Sequence, residues 1–101
     1  MKYLLAIDVG NTTTAIGICG NKKLITHWHI ATIRQRSADE HYILLEELFR
    51  SHKIRKENIK AMVISCVVPP VLSALEELAR KYFNTKPLIV SPGIKTGIAI
   101  E

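Results

Sequence analysis

An apolar run, Tyr3-Leu4-Leu5-Ala6-Ile7, ends in Asp8-Val9-Gly10-Asn11-Thr12, and this junction constrains the fold more than any other stretch of the chain. A short, nearly continuous apolar segment predicts a β-strand covered on both faces, which places Asp8 beside a low-dielectric interior. A carboxylate in that position is costly unless a cation or several backbone N–H groups face it. Gly10 supplies a backbone able to take positive φ and approach a ligand closely, while Asn11 and Thr12 add side-chain donors. One carboxylate and a flexible turn at a strand's end suit a phosphate held through a metal ion. A second reading stays open, in which Asp8 hydrogen-bonds its own backbone in an Asx-turn before Gly10.

The sequence downstream sets this turn inside a meander. Thr13 to Cys19 reads as a second strand, Gly20-Asn21 as a tight turn, and Lys22 to Thr32 as a third strand. Both turns carry a glycine, as a tight reversal requires. Ser37 followed three residues later by Glu40 forms a capping box, so a helix is expected from about Ala38 to near His52, with Tyr42, Leu45, Leu48 and Phe49 as its apolar stripe. Ala61 to Val68 is apolar and rich in β-branched residues, which predicts a buried parallel strand. Pro69-Pro70 opens a second helix with Val71, Leu75, Leu78 and Tyr82 along one face. Leu88 to Val90 is a short strand, and Pro92-Gly93 turns the chain into Ile94 to Glu101. The expected order is βββαβαβ in one α/β domain spanning residues 1–101. The run ending at Glu101 has no terminating signal, so a chain interrupted before its natural boundary is expected.

Composition narrows the functional classes. With 101 residues, 48% of them hydrophobic, the chain has the makings of a folded core, and its net charge of +5 favours anionic ligands. Cys19 and Cys66 lack metal-ligand spacing and read as buried free thiols. No apolar stretch reaches transmembrane length and no signal peptide opens the chain, so a cytoplasmic location without membrane association is expected. His27 and His29 share one strand face with Trp28 opposite; a metal site there is disfavoured because no further ligands group nearby. The basic run Arg50 to Lys60 reads as a solvated helix end in preference to a nucleic-acid patch, because aromatic interleaving and a recognition motif are missing. Ser65 is open between a ligand contact and a hydroxyl bonded to nearby backbone.

Four segments together resemble one family. Asp8-Val9-Gly10-Asn11-Thr12 matches the phosphate-binding turn of the ribonuclease H-like superfamily that includes actin, Hsp70, sugar kinases and acetate kinase. His27-Trp28-His29-Ile30-Ala31-Thr32 with Ser37-Ala38-Asp39-Glu40, then Ile64-Ser65-Cys66-Val67-Val68-Pro69-Pro70, and Pro92-Gly93-Ile94-Lys95-Thr96-Gly97 resemble type III pantothenate kinases, the Bvg accessory factor family. His29 stands where that family has arginine.

The resemblance implies ATP-dependent phosphorylation of pantothenate, opening coenzyme A synthesis. It implies a nucleotide site at Asp8, Val9, Gly10, Asn11, Thr12, Thr13 and Thr14, with Asp8 on Mg²⁺ directly or through water. It also implies a monovalent cation such as K⁺, a homodimer, and an acceptor region near Lys95, Thr96 and Gly97. Family members are about twice this long, and the family's Gly-Ala-Asp-Arg motif, which carries the general base, is expected after Glu101. No catalytic base is therefore expected within this chain, and the fragment alone is expected to be inactive. Other enzymes of the superfamily, or a non-catalytic regulatory or nucleic-acid-binding relative, are the competing readings.

Overall fold

A computed structural model describes residues 2–91. Three strands lead the chain: β1 (Tyr3–Val9), β2 (Thr13–Gly20) and β3 (Lys23–Ala31). Helix α1 (Ala38–Ser51) and a short 3-10 turn (Lys56–Asn58) precede β4 (Ile59–Cys66), and helix α2 (Pro69–Phe83) precedes β5 (Leu88–Val90). The expected order is observed. The strands form one five-stranded sheet in the order β3-β2-β1-β4-β5, antiparallel on the β1–β2–β3 side and parallel from β1 to β4 to β5. β1 is therefore the seam between the two halves.

One face of the sheet carries the core. Leu5, Ile7 and Val9 of β1, Ile16 and Ile18 of β2, and Met62 and Ile64 of β4 pack with Leu45 and Phe49 of α1 and Val71, Leu75 and Leu78 of α2. Burying such side chains is worth about 1.5–3 kcal/mol each, so this face supplies most of the drive to fold. Trp28 packs against the same core from β3 while His27 and His29 point the other way, as the alternation predicts. Where the helices meet, Tyr42 stacks on Tyr82 with centroids 4.0 Å apart, and Asp39 accepts from both Lys81 and Tyr82. The capping box is formed: Ser37 Oγ accepts the Glu40 N–H at 3.1 Å, and Glu40 Oε1 accepts the Ser37 N–H at 2.8 Å.

Several expectations are corrected. No described element covers the second face of the sheet. Leu4 is half-buried, Ala6 and Ala15 form a small separate cluster, Ala61 is exposed, and Asp8 is exposed rather than set against a dry interior. β4 begins two residues earlier than the apolar run suggests, because its ladder with β1 starts at the Tyr3–Ile59 pair, and Val68 becomes the cap of α2. Phe83, not Tyr82, completes the buried stripe of α2, and His41 joins Leu45 and Phe49 on the buried side of α1. Cys19 and Cys66 are half-buried. The segment from Pro92 to Glu101, with Lys95, Thr96 and Gly97, lies outside the described residues. No described helix is long and apolar enough to cross a membrane.

Candidate functional site at the first hairpin

Asp8 is the penultimate residue of β1, not part of the turn itself. Side chains alternate along a strand, so Asp8 follows Leu4 and Ala6 onto the open face while Ile7 and Val9 enter the core. Across the sheet its register neighbours are Ala15 on β2 and Ser65 on β4, with His29 beyond Ala15. Strand spacing puts the backbones of Asp8 and His29 roughly 10 Å apart on that face. Among the described residues the Asp8 carboxylate makes no hydrogen bond or ion pair. The Asx-turn reading therefore does not hold: the carboxylate is aimed into open space, not folded back on its own backbone. The Ser65 hydroxyl beside it makes no hydrogen bond to backbone or side chain among the described residues, so the backbone-bonded alternative is not observed there.

The turn that follows is held from outside. Gly10 N–H donates to Thr13 O at 2.9 Å and closes a two-residue loop of Asn11 and Thr12. Two-residue hairpins ordinarily place positive φ in the loop to match strand twist. Neither Asn11 nor Thr12 does so, and Gly10 is also outside the left-handed region, contrary to the expectation from sequence. What Gly10 provides is clearance: a Cβ there would lie 3.1 Å from Thr13 O. The bracing comes from neighbours. Thr32 N–H donates to Thr12 O at 2.9 Å, the Thr14 and Thr32 hydroxyls are bonded at 2.7 Å on the core side, and Val67 N–H donates to Val9 O at 3.1 Å.

This arrangement leaves particular groups available. Among the described residues the N–H groups of Asn11 and Thr12 have no backbone acceptor, and the side chains of Asn11, Thr12 and Thr13 are exposed. Thr14 differs, since its buried hydroxyl is committed to Thr32. A free carboxylate, free N–H groups and short hydroxyl side chains at one strand end offer oxygen ligands to a hard cation and donors to an anion.

The surrounding charges are settled by local chemistry. Asp39 is held below the usual carboxylate range first by the Lys81 hydrogen bond and then by Tyr82. Glu40 is lowered chiefly by the Ser37 backbone N–H. His41 is pushed down by burial, partly offset by its hydrogen bond to the Ser37 carbonyl, where its Nδ1–H must be the donor. His27 and His29 stand edge to face at 5.6 Å, and no group of three or more His, Cys, Asp or Glu side chains gathers anywhere among the described residues. The Thr32 brace escaped the sequence reading, because a threonine at the end of a strand carries no local signal of its distant partner.

Comparison with known proteins places this geometry. The fold is shared, at 16% identity and a TM-score of 0.64, with YeaZ from Pseudomonas aeruginosa, over 90% of this chain and 44% of that one. It is shared likewise with a ROK hexokinase from Thermus thermophilus, at 14% identity and a TM-score of 0.59 over 88% and 35% of the two chains. These likenesses establish an actin-like, ribonuclease H-like fold. In sequence, the chain is 47% identical over 97 residues to a type III pantothenate kinase of Syntrophus aciditrophicus and 44% identical over 98 residues to one of Exiguobacterium sibiricum. Those alignments cover 96% and 97% of this chain, which spans 38% and 39% of the relatives' lengths. The family model for type III pantothenate kinase matches residues 4–101, and the chain belongs to that family.

Proposed function

We propose that this chain is the phosphate-binding part of an enzyme that transfers the γ-phosphoryl group of ATP to the hydroxyl of pantothenate, the first step of coenzyme A synthesis. The observation that carries the reading is the unpartnered Asp8 carboxylate beside a turn with unspent N–H groups, in a chain of this family. Asp8, with hydroxyl oxygens of the turn, fits Mg²⁺, which favours a few oxygen ligands and retains several waters. When bound, the ion neutralises charge on the phosphates. The backbone of Asn11 and Thr12 would hold phosphate oxygens, and the small floor at Ala15 lets a ligand approach the sheet closely.

Phosphoryl transfer passes through a loose transition state, so alignment and charge stabilisation contribute most of the acceleration. Residues 1–101 are assigned to a single N-terminal domain, with the general base and the monovalent cation site in a second domain after it. Lys95, Thr96 and Gly97 are assigned to the acceptor side. A cytoplasmic homodimer completes the reading.

The test is transfer from Mg-ATP by the full-length protein to pantothenate, to sugars and to acetate. Phosphorylation of pantothenate alone is expected. Turnover of sugars or acetate with pantothenate ignored would refute the substrate, and DNA binding at low salt without Mg-ATP binding would refute the enzyme.

A further inference from the structure

Basic residues are distributed unevenly over the described chain. Strands β1, β3 and β4 end, and helix α2 begins, at the pole that holds Asp8. The lysines of the β2–β3 hairpin and of the start of β4 lie at the opposite pole, while Lys81 of α2 reaches Asp39 in the first turn of α1. Arg34 and Arg36 lie in the loop joining β3 to α1, at the end of β3 that reaches the Asp8 turn. That loop is fastened to the Asp8 turn by Thr32, whose N–H bonds Thr12 O at 2.9 Å and whose hydroxyl meets that of Thr14 at 2.7 Å.

The two arginines differ in availability. Arg36 Nη1 donates to the Ala31 carbonyl at 3.3 Å, whereas Arg34 is exposed and has no partner among the described residues. The nearest acidic side chains of the loop and the start of α1 do not compete for it. Asp39 is held by Lys81 and Tyr82, and Glu40 by the Ser37 N–H. Arg50 and Arg55 are ion-paired with glutamates. Arg34 thus stands two residues from the brace of the phosphate turn with its charge uncommitted.

A magnesium nucleotide facing Asp8 leaves net negative charge in the site, and a guanidinium, always protonated and able to bond two oxygens at once, is well suited to offset it. We propose that Arg34 contacts the phosphate chain of the nucleotide bound at Asp8. The proposal rests on the nucleotide-binding reading above and adds a residue to it. It makes the β3–α1 loop one wall of the site.

Calorimetric titration of the full-length protein with Mg-ATP and with adenosine, alongside steady-state kinetics, tests it. Arg34→Gln is expected to weaken Mg-ATP by about tenfold or more, the usual scale for a lost charge-assisted hydrogen bond, with adenosine affinity and thermal midpoint unchanged. Arg34→Lys should recover part of the Mg-ATP affinity, and Arg36→Gln should change it by less than about threefold, as befits a charge already engaged with the Ala31 carbonyl. If Arg34→Gln binds Mg-ATP like the unaltered protein while Asp8→Asn does not, the role of Arg34 is refuted and the nucleotide site stands. If neither substitution affects Mg-ATP binding, the nucleotide site itself is refuted. Equal weakening by Arg34→Gln and Arg36→Gln would reduce the effect to general surface charge and overturn the contact.

Discussion

The two hairpin turns on either side of β2 are the same length and solve different problems. At the far one, Gly20 pairs with Lys23, and Asn21 and Lys22 adopt φ values of 50° and 62°, the paired left-handed geometry that matches strand twist. It is satisfied within itself. At the near one, Asn11 and Thr12 avoid that geometry, and the turn is held by Thr32 from the loop after β3 and by Val67 from the loop after β4. A turn stabilised by its own backbone needs nothing else. A turn stabilised by neighbours can leave N–H groups unspent, and those are what a ligand uses.

Substitutions can pull the two turns apart. The largest effect is expected from Asp8→Asn: loss of detectable Mg-ATP binding and a fall in turnover of about 100-fold or more, with an unchanged thermal midpoint because the carboxylate has no hydrogen-bond or ion-pair partner among the described residues. A clear drop in melting temperature would instead give Asp8 a structural role. Next comes Gly10→Ala, whose added methyl meets the Thr13 carbonyl at 3.1 Å and must open the loop; about 1–3 kcal/mol of stability and much of the nucleotide affinity should be lost together. Gly20→Ala meets the half-buried Tyr3 ring at 3.0 Å, which must give slightly, so denaturant titration should find a cost of about 1 kcal/mol with nucleotide binding intact. Lys22→Gly removes a side chain from a left-handed position and should stabilise the protein by up to about 1 kcal/mol, again without touching binding.

The smallest effect concerns pH. His41 lies buried in the first turn of α1, adjoining the loop that braces the near turn, with Arg36 and Glu40 as its charged neighbours. Its folded pKa is depressed, so the unfolded chain binds the proton more readily. Its contribution to stability is complete above the unfolded value of about 6.5 and is lost as pH falls through that value toward the folded one. Protection factors, corrected for the slower intrinsic exchange at lower pH, should accordingly fall around Thr12 and Thr32 on mild acidification while those of the Asn21–Lys22 turn are unaffected. His41→Leu should abolish the difference.

Much of this was legible in the residues. The capping box at Ser37 and Glu40, the prolines at the start of α2 and the β-branched run of β4 each act through neighbours a few positions away, and each element formed, with β4 shifted two residues toward the N-terminus by its ladder with β1. The position of Asp8 at a strand's end was legible for the same reason. Its surroundings were not. A continuous apolar run does not reveal how many layers cover it, and the described residues place both helices on one side. Nor does Gly-Asn at a hairpin say which residue takes positive φ: here it is Asn21 and Lys22 rather than Gly20. The Thr14–Thr32 hydroxyl pair and the nearness of Arg34 depend on chain reversals 18 or more residues long, which no local pattern encodes.

The position of β1 at the seam has a consequence for how such a protein can vary. Its residues answer simultaneously to an antiparallel partner and a parallel one, with Asp8 opposite Ala15 on one side and Ser65 on the other. Inserting or deleting a single residue between Leu4 and Asp8 would put the acidic group out of step with the apolar ones and turn one set to the wrong face, whereas the ladder already gives between Tyr3 and Leu4. Folding and chemistry are thus read from a common ruler, and lineages free to change length elsewhere must keep this segment's count fixed.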